Sequence, residues 1–441
     1  MLKAPHRLGL VFFPAYDWAI SPTHPEREER LLYTQDQVWE EGILDIEGII
    51  EYRPRLASIK DVERVHICVP EVKSRATESD LIAAGGALVA ADVVLRGEVE
   101  RAFAIVRPPG HHAQRIVYGN RGFCNINNEA IMVEYIRQKY GPKRIAIVDT
   151  DCHHGDGTQD IYWHDRDTLY ISVHQDGRTL YPGTGFLSEF GGPNACGYTL
   201  NLPLPPETGE EGFLYALENL ILPVLHEFQP DLVINSAGQD NHYTDPITNM
   251  RFSARGYARL TELLQPHIAV LEGGYSIEGA LPYVNLGIIL ALAGLDYSYV
   301  REPDYSRAKV AQPPEIGEYI ARLCRETYAA WQRRHEIRAQ IVRGKKEITR
   351  QRRVYYDTEG LLEIQQETTL VCEECAGLTW IDSRCSERAE HILAIFLPRD
   401  ACPRCREEGG RLFRQADRRS YTRVYLQDRP RDVLLKELAP S

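Results

Sequence analysis

The chain has 441 residues, of which 43% are hydrophobic, and its 51 Lys and Arg against 63 Asp and Glu give a net charge of −12. This length is enough for one large domain with a smaller one, or for two to three domains of medium size. The acidic balance argues against a general attraction to nucleic acid or to anionic membranes, and no apolar run reaches the roughly 18 residues of a membrane span.

Up to about residue 300, short apolar segments alternate with longer mixed ones. Strands are predicted at 8–13, 64–69, 101–106, 144–150, 168–173, 231–238 and 267–275. Helices are predicted between several of them, at 80–97, 127–140 and 210–228. This alternation favours an α/β fold with a mostly parallel central sheet that is covered on both faces. In such folds, functional groups collect in the loops beyond the carboxyl ends of the strands.

The N-terminal apolar stretch predicts a first strand and not a signal peptide. Pro14 and Asp17 interrupt it, and no small-residue cleavage site follows. We therefore expect a cytoplasmic protein.

The chain after residue 302 has a different character. Several prolines between residues 303 and 314 predict a linker, and the next segment has a helical pattern with an excess of Lys and Arg. We predict a catalytic domain at 1–302, a linker and basic helix at 303–353, and a small cysteine-rich β module at 354–441. The basic helix either connects domains as a solvated element or forms an arm for nucleic acid or an acidic partner.

A candidate metal site follows the predicted strand 144–150. Asp151 and His153 stand two residues apart, so their side chains leave the same side of an extended segment. Asp240, after another predicted strand, is a third candidate ligand. Two carboxylates and one imidazole, with a position left for water, suit a divalent ion used in hydrolysis. Taken alone, the Asp-x-His pair is more typical of a capped turn with a buried histidine, but its neighbours favour the metal.

Two adjacent histidines, His111 and His112, follow an Arg-Pro-Pro-Gly turn of restricted shape. A carboxylate usually sets the tautomer and basicity of a histidine beside a metal. Asp149 and Asp156 are candidates for this role. Tyr275, after two glycines, either donates a hydrogen bond to an oxyanion or closes the glycine turn.

Seven motifs resemble, in order and approximate spacing, those of the zinc-dependent histone deacetylase family, which includes bacterial deacetylase-like and acetylpolyamine amidohydrolases. They lie at 24–31, 107–113, 122–131, 149–160, 181–185, 236–246 and 271–275. The resemblance covers roughly residues 1 to 300. It implies an arginase-like three-layer α/β fold and hydrolysis of the amide of an acylated lysine or a related amine.

The resemblance also implies roles for single residues. Asp151, His153 and Asp240 would bind the catalytic zinc ion. His112, paired with Asp156, would be the general base that activates the attacking water and then protonates the leaving amine.

Further roles that the resemblance implies concern the neighbours of this zinc site. His111, backed by Asp149, would be an electrostatic partner of the general base, and Tyr275 would hold the tetrahedral oxyanion. The residues that match the narrow substrate channel are Gly122, Phe123 and Tyr181. A monovalent-cation site, for which K⁺ is the candidate, is implied at Asp149, Asp151, His153, Ser172 and Val173.

The sequence departs from its relatives at several positions. Where arginases have a second bridging Asp, this chain has Gly155, which favours one metal over two. Lys73, with Glu71 nearby, stands where several family members hold the substrate backbone with Asp, so peptide binding differs or the substrate is not a peptide. Ile247 replaces the acidic gatekeeper of a polyamine-selective relative, which disfavours polyamines. Asp156, where many class II members have Asn, should raise the basicity of its histidine partner.

Two C-x-x-C pairs near the C-terminus predict a structural zinc site of the zinc-ribbon type. They are Cys372 with Cys375, and Cys402 with Cys405. Cys385 is either a spare thiol or an alternative ligand. The family resemblance does not extend to this module. Its sequence is compatible with binding to nucleic acid, to a protein partner or to another subunit, and in the last case the protein would be an oligomer.

The leading hypothesis is a zinc-dependent deacylase that acts on acylated lysine side chains in proteins. One alternative is a small-molecule amidohydrolase for acetylpolyamines or related acylated amines. The other is a non-catalytic regulator that binds acyl-lysine, against which the complete set of His111, His112 and Tyr275 argues. The cofactors expected are catalytic Zn²⁺, a second structural Zn²⁺ and K⁺.

Overall fold

A computed structural model of the protein describes residues 2–12, 20–21, 23–141 and 143–438. The strands, numbered along the chain, are β1 (Lys3–Phe12), β2 (Glu47–Tyr52), β3 (Ile67–Cys68), β4 (Arg101–Ile105), β5 (Ile116–Val117), β6 (Ile145–Asp149), β7 (Thr168–Gln175), β8 (Thr199–Leu204), β9 (Leu232–Ala237), β10 (Ile268–Leu271), β11 (Glu347–Tyr356), β12 (Leu361–Leu370), β13 (Thr379–Cys385), β14 (His391–Leu397), β15 (Arg423–Asp428) and β16 (Val433–Leu438). The helices are α1 (Glu29–Glu40), α2 (Ile59–Glu63), α3 (Glu78–Leu95), α4 (Asn128–Tyr140), α5 (Asp156–Tyr162), α6 (Glu210–Ala216), α7 (Leu222–Phe228), α8 (Ala254–Leu264), α9 (Leu281–Ala293), α10 (Arg307–Val310), α11 (Pro314–Gln332), α12 (Arg334–Val342) and α13 (Pro403–Gln415).

The central sheet has eight strands in the order β2-β1-β4-β10-β9-β6-β7-β8. All of its neighbouring strands pair in parallel. Helices α3 and α4 pack together on the sheet, and α1 and α8 pack on α9, which contacts β1 and β4. This is the predicted α/β fold with a mostly parallel sheet between helical layers.

The sequence did not predict the two outermost strands, β2 and β8. The first carries glutamates at positions 47 and 51, and the second contains Asn201 and Pro203, so neither forms a long apolar run. Proline is tolerated in a strand chiefly at the edge of a sheet, which is where β8 lies.

The predicted strand at 64–69 does not join the central sheet. It forms only the short β3, which pairs with β5 in a separate two-stranded sheet. Ile67 and Val69 are buried against the C-terminal module, so their apolar character reflects that contact.

Local sequence sets the start of the helices that cover the sheet. Thr77 caps α3 by accepting the N–H of Asp80, whose carboxylate accepts the N–H of Thr77 at 2.6 Å. Asn127 caps α4 by accepting the N–H of Ala130 at 2.8 Å. Such caps bond donors that the first turn of a helix leaves free.

The C-terminal module is a six-stranded sheet in the order β11-β12-β13-β14-β15-β16. Its strands pair antiparallel except for β14 and β15. Helix α13 packs on β14 and β15, and an apolar cluster that includes Tyr356 and Ile381 joins the sheet to Ile116 and Tyr118 of the N-terminal region. The module is therefore packed against the central domain.

The secondary structure after residue 302 does not change at the predicted segment boundary of residue 353. Helix α12, which follows α11, ends at Val342. Strand β11 then begins at Glu347, inside the segment 303–353 that was expected to be a linker and basic helix. Ile316 and Ile320 of α11 are buried in the main core, so this helix packs on the central domain. The division into three domains stays a prediction. No helix in the described ranges is long and apolar enough to cross a membrane.

Buried ion pairs fasten the module to the central domain. Glu367 of β12 lies 2.6 Å from Arg115 and 2.9 Å from His164 through its two carboxylate oxygens. Asp160 of α5 pairs with Arg115 and also with Arg352, which belongs to β11. Because the carboxylates of Glu367 and Asp160 are buried, removing one partner would leave an uncompensated charge.

Candidate active site and metal centres

Four polar loops meet at one edge of the central sheet. They follow β4, β10, β9 and β6, which are neighbours in that order. Parallel strands bring their carboxyl ends to the same edge, where such folds place their functional groups. The side chains that these loops carry are His111, His112, Tyr275, Asp240, Asp151 and His153.

The structure brings the three predicted metal ligands together. Asp151, His153 and Asp240 are buried, and each offers one ligand atom such that all three atoms lie within 4.8 Å of one another. Nδ1 of His153 lies 2.7 Å from Oδ2 of Asp240 and 3.3 Å from Oδ1 of Asp151. Two carboxylate oxygens and one imidazole nitrogen form a donor set that zinc accepts with a position left open.

The two carboxylates of this site repel each other, and a bound cation would reduce that repulsion. Burial and the neighbouring Asp151 raise the pKa of Asp240 to about 6. Burial alone would lower the pKa of His153, but Asp240 and Asp151 raise it to about 10. A divalent ion would relieve the repulsion between the carboxylates, so the residues present fit a zinc ion.

Two glycines allow the chain to approach these acids: Gly238, which the sequence analysis did not single out, and Gly273, one of the two glycines that it noted before Tyr275. A Cβ atom on Gly238 would lie 2.1 Å from Oδ2 of Asp151. A Cβ atom on Gly273 would lie 2.6 Å from Oδ2 of Asp151 and of Asp240, and the Gly273 N–H donates to Asp151 at 2.7 Å. The position of Gly238 just beyond β9 is the signal that could have revealed it.

Each of the adjacent histidines bonds its own carboxylate. Nδ1 of His111 lies 3.1 Å from Oδ2 of Asp149, and Nδ1 of His112 lies 2.8 Å from Oδ1 of Asp156. Burial would lower the pKa of His111, but Asp151 and Asp149 raise it to about 10. Burial, followed by the charge of His111, lowers the pKa of His112 to about 3. A neutral His112 that donates through Nδ1 keeps Nε2 as a proton acceptor.

Asp156 is held by residues that the sequence did not single out. Its Oδ2 accepts bonds from Arg121 at 2.6 Å and from Gln114 at 2.8 Å. Arg352 of the C-terminal module donates in turn to Gln114 at 3.0 Å. Burial would raise the pKa of Asp156, but Arg121 and His112 outweigh it and hold the carboxylate ionised.

Glu272 and Arg30 also support the site without having been predicted. The carboxylate of Glu272 accepts the N–H of Gly110 at 2.7 Å and that of His111 at 3.1 Å, which orients the histidine turn. Arg30 pairs with Glu26 and donates to the main-chain carbonyl of Glu272 at 2.6 Å. Arg30 and Glu26 both belong to the motif at 24–31, but the sequence analysis gave neither of them a role.

Tyr275 is buried, and its ring is fixed from two sides. The ring meets Phe123 edge-on at 5.5 Å and the guanidinium of Arg30 at 4.9 Å. Its main-chain N–H donates to Asp245 at 2.8 Å. Burial raises the pKa of Tyr275 well above its usual value, so the phenol stays protonated and able to donate.

A cavity of about 280 Å³ opens beside these groups. Its lining residues are His111, His112, Gly122, Phe123, His153, Leu180, Tyr181, Ile247, Tyr275 and Asp357. The predicted channel residues Gly122, Phe123 and Tyr181 are in this lining, and so is Ile247. Lys73 and Glu71 are outside it. The lining also includes Asp357, which the C-terminal module contributes and which sequence reasoning missed.

The backbone at the wall of this cavity is unusual. Gly122 has φ of 51° and Phe123 has φ of 69°, a left-handed conformation that is costly for a phenylalanine. A Cβ atom on Gly122 would lie 2.3 Å from the ring of His112. Glycine is therefore required for this close approach.

The implied monovalent-cation site shares Asp151 and His153 with the predicted zinc site, and its other three residues lie on the neighbouring strands β6 and β7. Asp149 of β6 pairs in register with Ser172 of β7, and Val173 follows in the same buried strand. The side chain of Ser172 bonds His174 at 2.8 Å.

The four cysteines of the C-x-x-C pairs converge in the C-terminal module. The Sγ of Cys375 lies 3.6 Å from that of Cys372 and 3.5 Å from that of Cys405, and Cys372 lies 3.8 Å from Cys402. These separations exceed a disulfide bond of about 2.05 Å. They match the edges of a tetrahedron with Zn–S bonds of about 2.3 Å. The four residues fit a structural zinc ion.

Cys385 belongs to a different part of the module. It is buried in the apolar cluster that faces the central domain, whereas the four converging cysteines belong to the cluster beneath α13. Burial raises the pKa of Cys385 to about 12. It is a buried thiol, apart from the four-cysteine group.

Comparison with known proteins places the chain in a family. A sequence model of the histone deacetylase domain matches residues 68–284. The chain is 49% identical over 324 residues to a "Probable deacetylase" of Archaeoglobus fulgidus, covering 67% of this chain and 89% of that protein. The chain belongs to the histone deacetylase family. Proteins of this family are zinc-dependent hydrolases, and this member is accordingly a deacetylase or amidohydrolase.

Two further members of the histone deacetylase family match the chain at lower identity. The chain is 35% identical over 241 residues to the "Histone deacetylase-like amidohydrolase" of Pseudomonas aeruginosa, covering 53% of this chain and 62% of that protein. It is 42% identical over 209 residues to the mouse "Polyamine deacetylase HDAC10", covering 45% of this chain and 31% of that protein.

A solved structure supports the fold assignment for this histone deacetylase family member. The crystal structure of the HDA15 HD domain superposes with a TM-score of 0.63 at 26% identity, covering 75% of this chain and 98% of that chain. The matched deacetylase domain ends at residue 284, before the six-stranded sheet begins.

Proposed function

We propose that this deacetylase removes acyl groups from acylated lysine side chains of proteins or peptides. The observation that carries the proposal is the cavity that joins Phe123 and Tyr181 to the two histidines and to the zinc ligand His153. An unbranched lysine stem fits between aromatic walls that exclude water. The acyl amide at its end would then meet the polar edge of the sheet.

Zinc fits the site formed by Asp151, His153 and Asp240. When bound there, it supplies the Lewis acid that polarises the amide carbonyl and acidifies the attacking water. The protein's part is to hold the ligands in place through the surrounding hydrogen bonds, such as the bond from Gly273 to Asp151. Positioned in this way, the ligands need little reorganisation during the reaction.

We assign the proton transfers to His112. Its Nδ1 is engaged by Asp156, so Nε2 is free to take a proton from the attacking water and to pass it to the leaving amine. His111, charged and bonded to Asp149, would stabilise negative charge that develops beside it.

We assign the oxyanion contact to Tyr275. Its protonated phenol lines the cavity, and a donor that is already in position stabilises the developing negative charge of the tetrahedral intermediate. The fixed ring keeps the donor in place during turnover.

A second candidate function is hydrolysis of acylated small amines such as acetylpolyamines. The likeness to a protein named as a polyamine deacetylase favours it. The apolar Ile247 in the lining disfavours it, because an apolar side chain does not stabilise a polyamine ammonium group.

Three further assignments belong to this proposal. Cys372, Cys375, Cys402 and Cys405 hold a structural zinc ion. Asp149, Asp151, His153, Ser172 and Val173 hold K⁺ beside the catalytic zinc ion, through side-chain or carbonyl oxygens. An outer surface of the C-terminal module binds nucleic acid or a protein partner.

Turnover assays test the proposed function. The purified, zinc-loaded protein should release acetate from acetyl-lysine peptides, and treatment with a chelator followed by zinc should abolish and then restore the activity. Faster hydrolysis of acetylpolyamines than of the peptides would favour the second candidate. No turnover of either class by the zinc-loaded protein would contradict both.

A further inference from the structure

The C-terminal module reaches into the active-site cavity through the hairpin that joins β11 and β12. Asp357 lies in this hairpin and lines the cavity. Its Oδ1 accepts the N–H of Gly122 at 2.9 Å and the hydroxyl of Tyr181 at 3.1 Å. The module therefore supplies part of the cavity wall, and its role goes beyond that of an appended docking unit.

The hairpin is fastened to the loop that carries the wall residues. Thr358 donates to the side chain of Asn120 at 2.8 Å, and the N–H of Asn120 donates to Glu359 at 3.0 Å. Arg121 donates to the main-chain carbonyl of Tyr355. These bonds hold the hairpin on both sides of Asp357, so its carboxylate has a defined position at the entrance.

Asp357 has no ion-pair partner among the residues that the structure describes. Arg121, which donates to the same hairpin, pairs with Asp156 instead. Burial lowers the pKa of His24, which lies near Asp357, so that imidazole is neutral at pH 7. Asp357 is exposed, and both of its hydrogen bonds use Oδ1, which leaves Oδ2 for another donor.

We propose that Asp357 is a specificity-determining residue whose carboxylate binds a cationic group that the substrate carries close to the acylated amine. The inference rests on the proposed function, since it concerns the same cavity. Two sources could present this cation: a Lys or Arg beside an acylated lysine in a peptide, or the second amine of a mono-acylated diamine. An unpaired carboxylate at a fixed position favours either source over a neutral group.

Binding tests this inference independently of turnover. Two alkyl hydroxamates of equal length, which coordinate zinc through the same end, would carry an ammonium group or a neutral methyl group at the other end. Calorimetry on the zinc-loaded full chain should show the ammonium compound binding about three- to tenfold tighter, and added salt should reduce this preference. In Asp357→Asn the ratio of the two affinities should fall towards one.

Glu347→Gln is the matched control, because it removes an exposed carboxylate of the same module that lies outside the cavity lining and takes no part in fastening the hairpin. It should keep the preference for the ammonium compound. Equal affinities in the unmodified protein would overturn the inference. So would an Asp357→Asn variant that weakens both compounds by the same factor, because the residue would then only brace Gly122 and Tyr181.

Turnover of two substrate pairs identifies the source of the cation. One pair consists of acetyl-lysine peptides with Arg or Gln next to the acetylated residue, and the other of a mono-acetylated diamine and its neutral alkylacetamide counterpart. A preference within either pair that is lost in Asp357→Asn supports the inference and names the source. No turnover of any substrate, together with a retained binding preference, would refute the proposed function and leave the role of Asp357 supported.

Discussion

Replacement of Tyr275 by Phe isolates the contribution of one hydroxyl group to turnover. The ring contacts with Phe123 and Arg30 and the main-chain bond to Asp245 do not involve that hydroxyl. Phe should therefore keep the same place without opening a cavity. Loss of one oxyanion donor in a buried site costs about 2.7–4 kcal/mol of transition-state stabilisation, so kcat should fall roughly 10²–10³-fold.

The assay is acetate release from an acetyl-lysine peptide by the zinc-loaded protein, with kcat and KM determined separately. KM should change little, because the lost bond forms mainly in the transition state. Zinc content and melting temperature should match those of the unmodified protein. Tyr283→Phe, on α9 and outside the cavity lining, controls for a general effect of losing a tyrosine hydroxyl. Unchanged kcat in Tyr275→Phe would refute the oxyanion role.

Three further predictions concern the general base, the second zinc site and the contact with the module. Asp156→Asn removes the charged partner of His112 and should lower kcat roughly 10²-fold at pH 7, measured with the same peptide; normal kcat would contradict the pairing. Cys405→Ser should reduce bound zinc, measured by atomic absorption, from about two ions per chain to about one; an unchanged content would exclude that cysteine as a ligand. Glu367→Gln should lower the free energy of unfolding by roughly 3 kcal/mol in urea titrations, because Arg115 loses a buried partner. Burial opposes ionisation of Glu367, but Arg350 and other cations hold its pKa well below 4.5. The decrease in the free energy of unfolding should therefore be full above pH 4.5 and become smaller as the pH falls. A decrease that does not depend on pH would count against a charge effect.

The contact between the module and the active site changes how truncation should be interpreted. The sequence indicated a separate cysteine-rich module at 354–441 and left its partner open. In the structure, the module covers Ile67, Ile116 and Tyr118 and contributes Asp357 to the cavity. Its removal would expose apolar surface as well as open the cavity wall, so single substitutions in the hairpin are the cleaner test.

Much of the catalytic centre could be predicted from the sequence because its signals are local and dense. Asp151 and His153 lie in one short loop, His111 and His112 are adjacent, and each group follows an apolar strand. Once the strands were predicted to be parallel, their carboxyl ends had to meet at one edge. The spacing of the two C-x-x-C pairs predicted a four-sulfur site by the same kind of short-range pattern.

Other features depended on contacts that no local pattern contains. The edge strands β2 and β8 lack long apolar runs: β2 buries only Ile49, and β8, although buried, includes Asn201 and Pro203. Glu272 has no neighbour in sequence that reveals its bonds to the histidine turn. Gly238 gained significance only when Asp151 was placed against it.

The sequence by itself indicated the candidate site: the three proposed metal ligands, the histidine pair, the parallel sheet that brings them together and the four cysteines. Only the tertiary structure decided what surrounds that chemistry, as Asp357 shows. It lies 235 positions along the chain from Gly122, yet its carboxylate accepts the N–H of that residue. Metal and proton-transfer groups need particular side chains at short spacing, which a sequence displays directly. A cavity wall needs only surfaces that meet in space, and the packing of the whole chain decides which surfaces those are.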